Sequence, residues 1–151
     1  MHKRPFAGGL IALAVFACGS PRLAAHKRVE LVTAPPGEVA PLIINELQKG
    51  ARDGHHVLVY VGATWCEPCQ RFHAAVEKGE LDQQFPNLRL ITFDLDRDGE
   101  RLATAGYVSQ YIPLFALPGP DGRASARKIE GSVKGDTAVA QIAPRLQDLL
   151  R

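Results

Sequence analysis

Runs of apolar residues alternate with amphipathic stretches along most of the chain, and this predicts alternating strands and helices. Short runs rich in β-branched and aromatic residues predict strands at 29–33, 57–61, 88–94, 111–117 and 127–130. Apolar residues at helical spacing predict helices at 38–52, 67–80, 100–105 and 136–150. A crossover helix requires parallel strands, and a closing hairpin adds antiparallel ones. We therefore predict an α/β fold, a mixed central sheet flanked by helices on both faces, in the order β-α-β-α-β-α-β-β-α.

Turn and cap residues set the predicted boundaries. Gly54 is placed to end the first helix, and Asp136 is predicted to cap the last one. The polar stretch 96–99 is interpreted as a connection before the short third helix. Pro144 falls inside the last predicted helix, where a proline is expected to kink the helix or split it in two. No function follows from this proline.

The N-terminal part of the chain follows another pattern. Basic residues at 2–4 precede an uncharged apolar run at 6–17, which is the anatomy of a signal peptide. Its twelve residues are too few for a stable membrane-spanning helix, which needs about 20. We predict a signal peptide at 1–17, a lipidated cysteine and tether at 18–28, and one domain at 29–151.

Val15-Phe16-Ala17-Cys18 resembles the bacterial lipobox, although Phe16 is larger than that pattern prefers. The resemblance implies that Cys18 becomes the first residue of the mature protein and carries the acyl chains that anchor it to a membrane. By the enterobacterial sorting rule, a residue other than Asp after the lipidated cysteine, here Gly19, favours the outer membrane. The expected location is therefore the periplasm, with a lipid anchor in a bacterial membrane. An ordinary cleaved signal peptide and an uncleaved anchor remain as alternatives, and all three export the domain.

Charge and cysteine content narrow the function classes. The chain has 18 Lys and Arg against 16 Asp and Glu, and Lys3 and Arg4 account for the excess. No basic stripe is present in the sequence, so no nucleic-acid partner is expected. Of the three cysteines, one is assigned to lipid and two remain to form a pair, which suits an exported protein.

That pair is Cys66 and Cys69, at the point where the strand 57–61 runs into the helix 67–80. At a helix N-terminus, unpaired N–H groups and the helix dipole stabilise a thiolate. Because the second cysteine is one helical turn further on, the two can close a small disulfide. A Cys-x-x-Cys sequence beside a βαβ pattern predicts a redox pair.

The competing interpretation is a zinc site or a pair of inert core thiols. Structural zinc takes four ligands, and Cys18 is already assigned to lipid. His73 lies two turns beyond Cys66, too far along the helix to complete a compact site with both sulfurs. We therefore expect no metal and no cofactor other than the Cys66–Cys69 disulfide.

The element order, Trp65-Cys66-x-Pro68-Cys69 and the later Ile112-Pro113 together resemble the thioredoxin superfamily over 29–150. The resemblance implies the thioredoxin fold, with Cys66 as the attacking cysteine and Cys69 as the resolving one. It also implies that Pro113 is a cis-proline beside the disulfide and that the backbone of Ile112 pairs with an extended substrate. The residues expected to contact substrate are Trp65, Glu67, Pro68, Ile112 and Pro113.

Three positions depart from thioredoxin itself. Tyr60 stands where thioredoxin has a buried acid that helps deprotonate the resolving thiol. A tyrosine pKa near 10 is too high for this task, so Glu67 or water is expected to accept the proton. Ala74 replaces a proline that kinks the helix, and the spacer is Glu67-Pro68 in place of Gly-Pro.

The predicted function is thiol–disulfide exchange on protein cysteines outside the cytoplasm, by a monomer that receives electrons from a membrane thiol donor. The Glu67 carboxylate opposes a thiolate at Cys66, and the spacer contains no basic residue. This local charge favours a reductase or isomerase over a strong oxidase. The alternative is a thioredoxin-fold module that binds copper or a partner protein without exchange activity.

Overall fold

The computed structural model describes residues 28–151, so the predicted signal peptide, Cys18 and most of the predicted tether lie outside the described residues. The strands are β1 (Glu30–Thr33), β2 (His56–Gly62), β3 (Leu88–Asp94), β4 (Leu114–Pro118) and β5 (Ala124–Glu130). The helices are α1 (Val39–Asp53), α2 (Glu67–Glu77), α3 (Leu95–Thr104) and α4 (Ala138–Leu150). The predicted order of elements is confirmed. Across residues 28–151, no helix combines the length and apolar character needed to cross a membrane.

The five strands form one mixed sheet in the order β1-β3-β2-β4-β5. β1 and β2 both pair in parallel with β3, whereas β4 runs antiparallel to β2 and β5 antiparallel to β4. β2 is therefore central and is buried after its exposed first residue. Its carboxyl end leads directly to the cysteine pair, so the sheet fixes the position of the site.

Helices cover both faces of this sheet, as predicted. Because side chains alternate along a strand, Leu58 and Tyr60 of β2 face one layer while Val59 faces the other. The first layer contains Phe72 of α2 together with residues of α4, and the second contains buried residues of α1 and α3. α2, the helix that begins at the cysteines, is thus anchored by its apolar side in one of two hydrophobic cores.

α3 begins earlier than predicted, because the polar stretch interpreted as a connection forms its first turns. The Asp94 side chain caps the helix by accepting the N–H groups of Asp96 and Arg97 at 3.0 and 3.2 Å. The Asp98 carboxylate in turn accepts the Asp94 N–H at 2.9 Å. This reciprocal cap and the acidic first turn favour a helix that apolar periodicity alone does not reveal.

The start and middle of α4 also differ from prediction. Thr137 occupies the N-cap position, and Asp136 accepts a hydrogen bond from Arg71 of α2 at 2.6 Å, so the predicted Asp136 cap is wrong. α4 continues through Pro144, so of the two predicted outcomes, a kink or a split, the split does not occur. Pro144 and Ala140 are both exposed, and the Ala140 carbonyl that loses its helical partner can bond to solvent.

Candidate active site

Cys66 is the N-cap of α2, with φ −81° and ψ 105°, and its Sγ accepts the Cys69 N–H at 3.3 Å. Cys66 and Cys69 form a disulfide with an S–S distance of 2.11 Å and a Cα–Cα distance of 5.2 Å. Pro68 fits the first turn of α2, where a missing N–H costs little. A thiolate formed at Cys66 would therefore face a backbone donor at the positive end of the helix dipole.

A groove of about 260 Å³ runs past Cys66. It is bordered by residues around the disulfide and by two later loops, namely Trp65, Glu67, Pro68, Tyr111, Ile112, Gly131, Ser132 and Lys134. Trp65 and Tyr111 are among the most exposed large apolar side chains of the described residues, at 64% and 66%. The groove thus offers apolar contact area directly beside the disulfide.

The segment before β4 supplies the far wall of this groove. The strand was predicted from residue 111, but it begins at Leu114, and Tyr111, Ile112 and Pro113 lie in the bend before it. The Ile112–Pro113 peptide bond is cis. Of the residues expected to contact substrate, the groove is lined by all except Pro113, which is buried next to Ile112. The lipidation site predicted at Cys18 lies outside the described residues.

The exposed Trp65 is held in place by a residue that sequence reasoning missed. Its Nε1 donates a hydrogen bond to Asp96 Oδ2 at 2.8 Å, and Asp96 lies 31 positions further along the chain in the first turn of α3. Because α3 was predicted to start later, nothing in the sequence placed Asp96 near the cysteines. This bond fixes the orientation of an indole that is otherwise mostly in solvent.

The Glu67 carboxylate is held by a side chain of α2 and by the backbone of the loop that precedes α4. The carboxylate accepts Arg71 Nε at 2.6 Å and the Gly135 N–H at 3.1 and 3.2 Å. The hydrogen bond from Arg71 lowers the pKa of Glu67, and the Gly135 N–H lowers it further against an opposing effect of burial. A carboxylate with a lowered pKa is a weaker base, so the expectation that Glu67 accepts a proton is not supported.

A second, separate cavity of about 450 Å³ borders the other cysteine. Cys69 and His73 of α2 line it together with Tyr60 of β2, and none of the described residues lines both this cavity and the groove. Tyr60 is 1% exposed, and burial raises its pKa above the usual value for tyrosine, in agreement with its predicted weakness as a base. From the sequence, the only role weighed for His73 was that of a zinc ligand.

Within residues 28–151 there is no cluster of three or more His, Cys, Asp or Glu side chains that could hold a metal ion. The disulfide itself is the redox-capable group of this site. It can accept two electrons to give two thiols and return them by closing again.

No protein-family model and no curated protein matches the chain. Among solved structures, the chain is similar to thioredoxin from Trichomonas vaginalis, with 24% identity and a TM-score of 0.51, over 80% of this chain and 95% of that one. It also matches the oxidised thioredoxin O1 of Arabidopsis thaliana, with 18% identity and a TM-score of 0.49 over 80% and 95% of the two chains. A third match is a wild-type thioredoxin h of poplar, with 22% identity and a TM-score of 0.47 over 82% and 96%.

The sheet order, the two helical layers and the disulfide at the start of α2 agree with the likeness to the Trichomonas vaginalis thioredoxin. The chain has the thioredoxin fold, with a Cys-x-x-Cys disulfide at the N-terminus of its second helix.

Proposed function

We propose that this protein is a thiol–disulfide oxidoreductase that acts on the cysteines of other proteins outside the cytoplasm. The observation that carries the proposal is the position of the disulfide: Cys66 caps α2 and lines a groove with exposed apolar walls. A reactive sulfur at a helix N-terminus beside a surface for extended chains suits exchange with a protein substrate.

In the reducing direction, the Cys66 thiolate attacks one sulfur of a substrate disulfide. A bond forms between Cys66 Sγ and that sulfur, and the second substrate sulfur leaves as a thiolate. Cys69 then loses its proton and attacks Cys66 Sγ, which closes the Cys66–Cys69 disulfide and releases the first substrate sulfur. Two electrons pass to the substrate, and the reverse sequence oxidises a dithiol.

The two cysteines are placed for different tasks. Cys66 lines the groove and receives the Cys69 N–H, which stabilises negative charge on Cys66 Sγ. Cys69 does not line the groove and borders the separate cavity of Tyr60, so a substrate disulfide bound in the groove would meet Cys66 first, and Cys69 would react with the mixed disulfide formed there. This asymmetry supports Cys66 as the attacking residue and Cys69 as the resolving one.

We propose further that the protein works as a reductase or isomerase. The spacer contains no basic residue, and the Glu67 carboxylate disfavours a strongly stabilised thiolate, although Arg71 offsets part of its charge. Equilibration with a redox buffer tests this direction. We expect a potential nearer the value of thioredoxins, about −270 mV, than that of strong oxidases, about −120 mV, and the latter result would contradict it.

The proposed location rests on the N-terminal sequence. A lipidated Cys18 would anchor the domain to a bacterial membrane, and a reductase outside the cytoplasm then needs a membrane thiol donor. Incorporation of radiolabelled palmitate into the wild type and into Cys18→Ala tests the anchor. Loss of label and release from the membrane fraction in the variant are expected. Equal labelling of both chains would contradict the lipidation site.

Trapping tests the exchange activity itself. With Cys69→Ser in the native host, the mixed disulfide at Cys66 cannot be resolved, so covalent complexes that dissociate on addition of dithiothreitol are expected. The matched control is Cys66→Ser, which retains one cysteine of the pair but should trap nothing. Stoichiometric binding of Cu(I) without trapped proteins would support the alternative binding module and overturn the proposal.

A further inference from the structure

His73 and Cys69 border the same cavity of about 450 Å³. They lie four residues apart on α2, and residues at this spacing are neighbours on a helix surface, with Cβ atoms about 5–6 Å apart. The imidazole of His73 is half-buried and its ring centroid lies 5.1 Å from that of Tyr60. A titratable ring nitrogen therefore stands one helical turn from the resolving thiol, on the wall of the same cavity.

A buried hydroxyl group on the wall of this cavity lacks a hydrogen-bond partner within the described chain. The hydroxyl is that of Tyr60, whose Oη lies against Gly62, where a Cβ atom would come within 2.8 Å of it. Buried hydroxyls are almost always satisfied, and a space of this size and polarity accommodates ordered water. The rim includes the exposed residues Thr64, Gln70 and Glu77, so water can enter from solvent.

Other groups near the cysteines are poorly suited to accept the Cys69 proton. Burial raises the pKa of Tyr60, so it is a very weak acceptor at neutral pH. Glu67 is held by Arg71 and Gly135 and does not line this cavity. Asp94 lines it, but its Oδ1 already accepts two N–H groups at the start of α3.

We propose that His73 accepts the Cys69 proton, through water in this cavity, when Cys69 resolves the mixed disulfide. The inference rests on the proposed exchange function. The proton leaves Cys69 Sγ for a water molecule as that water passes a proton to the neutral imidazole. The Cys69 thiolate attacks Cys66 Sγ, the bond from Cys66 to the substrate sulfur breaks, and the substrate leaves as a thiolate. The imidazolium then returns its proton to solvent.

The surroundings of His73 keep it ready to accept a proton at neutral pH. Burial lowers its pKa below the usual 6.5, and the carboxylate of Glu77, one turn further on α2, opposes this in part. Three titratable residues of other elements also line this cavity: Tyr60 of β2, Asp94 at the end of β3 and Arg97 of α3. Arg97 is itself paired with Asp98 at 2.8 Å.

The two sulfurs can be followed separately with an aromatic disulfide such as 5,5′-dithiobis(2-nitrobenzoate). Attack by Cys66 on the probe releases one coloured thiolate, and resolution by Cys69 releases the second in a unimolecular phase. In the wild type, we expect the rate of the second phase to rise with pH through an inflection below pH 6.5. In His73→Phe, which keeps a ring beside Tyr60, that rate at pH 7 should fall about a hundredfold.

Four further measurements separate proton transfer from a structural effect. The first phase should be unchanged in His73→Phe, and the second phase should now follow the ionisation of a thiol, whose ordinary pKa is about 8.5. Added imidazole should restore part of the rate in His73→Ala, which opens space in the cavity. His73→Gln should be as slow as His73→Phe, and this polar variant serves if the Phe variant does not fold.

The matched control is His56→Phe, an exposed histidine at the other end of β2, which should behave as the wild type. A second phase with wild-type rate and pH profile in His73→Phe or His73→Gln would overturn the role of His73 while leaving the exchange function intact. A wild-type protein that releases no second thiolate would instead overturn the proposed function, and the inference with it.

Discussion

The Gly135 N–H donates to both carboxylate oxygens of Glu67, at 3.1 and 3.2 Å, across 68 positions of the sequence. This contact joins the spacer between the two cysteines to the loop that precedes α4. Arg71 reinforces it by binding Glu67 and Asp136 together, each at 2.6 Å. One wall of the groove is thereby tied to the helix that carries the disulfide.

Removal of this link should loosen the loop. In Glu67→Ala the Gly135 N–H loses its acceptor, and we expect its hydrogen exchange to accelerate by about tenfold or more, since protection follows local opening. Glu67→Gln is the matched control, because the amide oxygen still accepts and exchange should stay near the wild-type rate. Equal protection of Gly135 in wild type and Glu67→Ala would contradict the assigned bond.

The Asp96 carboxylate should control the orientation of Trp65. Asp96→Ala removes the acceptor of Trp65 Nε1, so the exposed indole should gain mobility. The chain has one tryptophan, so its fluorescence anisotropy reports this residue alone and should fall. Unfolding free energy should change by less than about 0.5 kcal/mol, as is usual for a surface site. Unchanged anisotropy would show that the bond does not hold the ring in solution; Asp121→Ala, on a distant turn, is the control.

Gly122 should not tolerate a side chain. It has φ +74°, and a Cβ there would lie 2.1 Å from the Ala40 carbonyl oxygen of α1. Gly122→Ala therefore combines a left-handed backbone with a clash against main chain, and we expect a loss of about 3 kcal/mol in unfolding free energy. Gly135→Ala shares the positive φ, at +90°, but meets nothing within 4 Å, so its loss should be about 1 kcal/mol. Chemical denaturation of the oxidised protein measures both, and equal losses would contradict the predicted clash.

Asp98 should make the unfolding free energy of the protein depend on pH in the acid range. Burial of its carboxyl raises the pKa, but hydrogen bonds from Arg97, the Asp94 N–H and Arg101 outweigh burial and lower the pKa to about 2. Because this pKa is lower than in the unfolded chain, the contribution to stability is present above about pH 4 and is lost as the pH falls towards 2. The shift corresponds to about 2 kcal/mol.

Asp98→Asn should therefore lower the unfolding free energy at pH 7 by about 2 kcal/mol and flatten its dependence between pH 4 and 2. Its matched control is Asp148→Asn, which removes an exposed pair with Arg151 and should cost less than about 0.5 kcal/mol. An acid profile of Asp98→Asn that parallels the wild type would show that another carboxyl is responsible.

The element order and the position of the disulfide could be predicted from the sequence because both depend on residues close together in the chain. The apolar run of β2, the turn at Gly54 and the Cys-x-x-Cys spacing are all short-range patterns. The start of α3 was missed because it depends on capping: Asp94 accepts the Asp96 and Arg97 N–H groups, Asp98 accepts the Asp94 N–H, and capping leaves no apolar periodicity. Asp136 was wrongly assigned as a cap because its actual partner, Arg71, comes from another helix.

The surroundings of the cysteines were harder to predict. That Tyr60 and His73 meet in one cavity follows from the packing of β2 against α2, which no single stretch of sequence specifies. Glu67 was correctly placed beside Cys66, but its bond to Gly135 depends on a loop 68 residues away. Local sequence patterns identify the candidate reactive residues, whereas tertiary contacts and burial shift the pKa values of their side chains.

The two sulfurs of the disulfide open onto different spaces, Cys66 onto the groove and Cys69 onto the cavity of Tyr60. Because no described residue lines both spaces, a client chain bound in the groove, as proposed, would leave the cavity open to solvent. If exchange proceeds as proposed, the substrate sulfur would approach Cys66 from the groove, while the proton of Cys69 would leave through the cavity that the client does not fill.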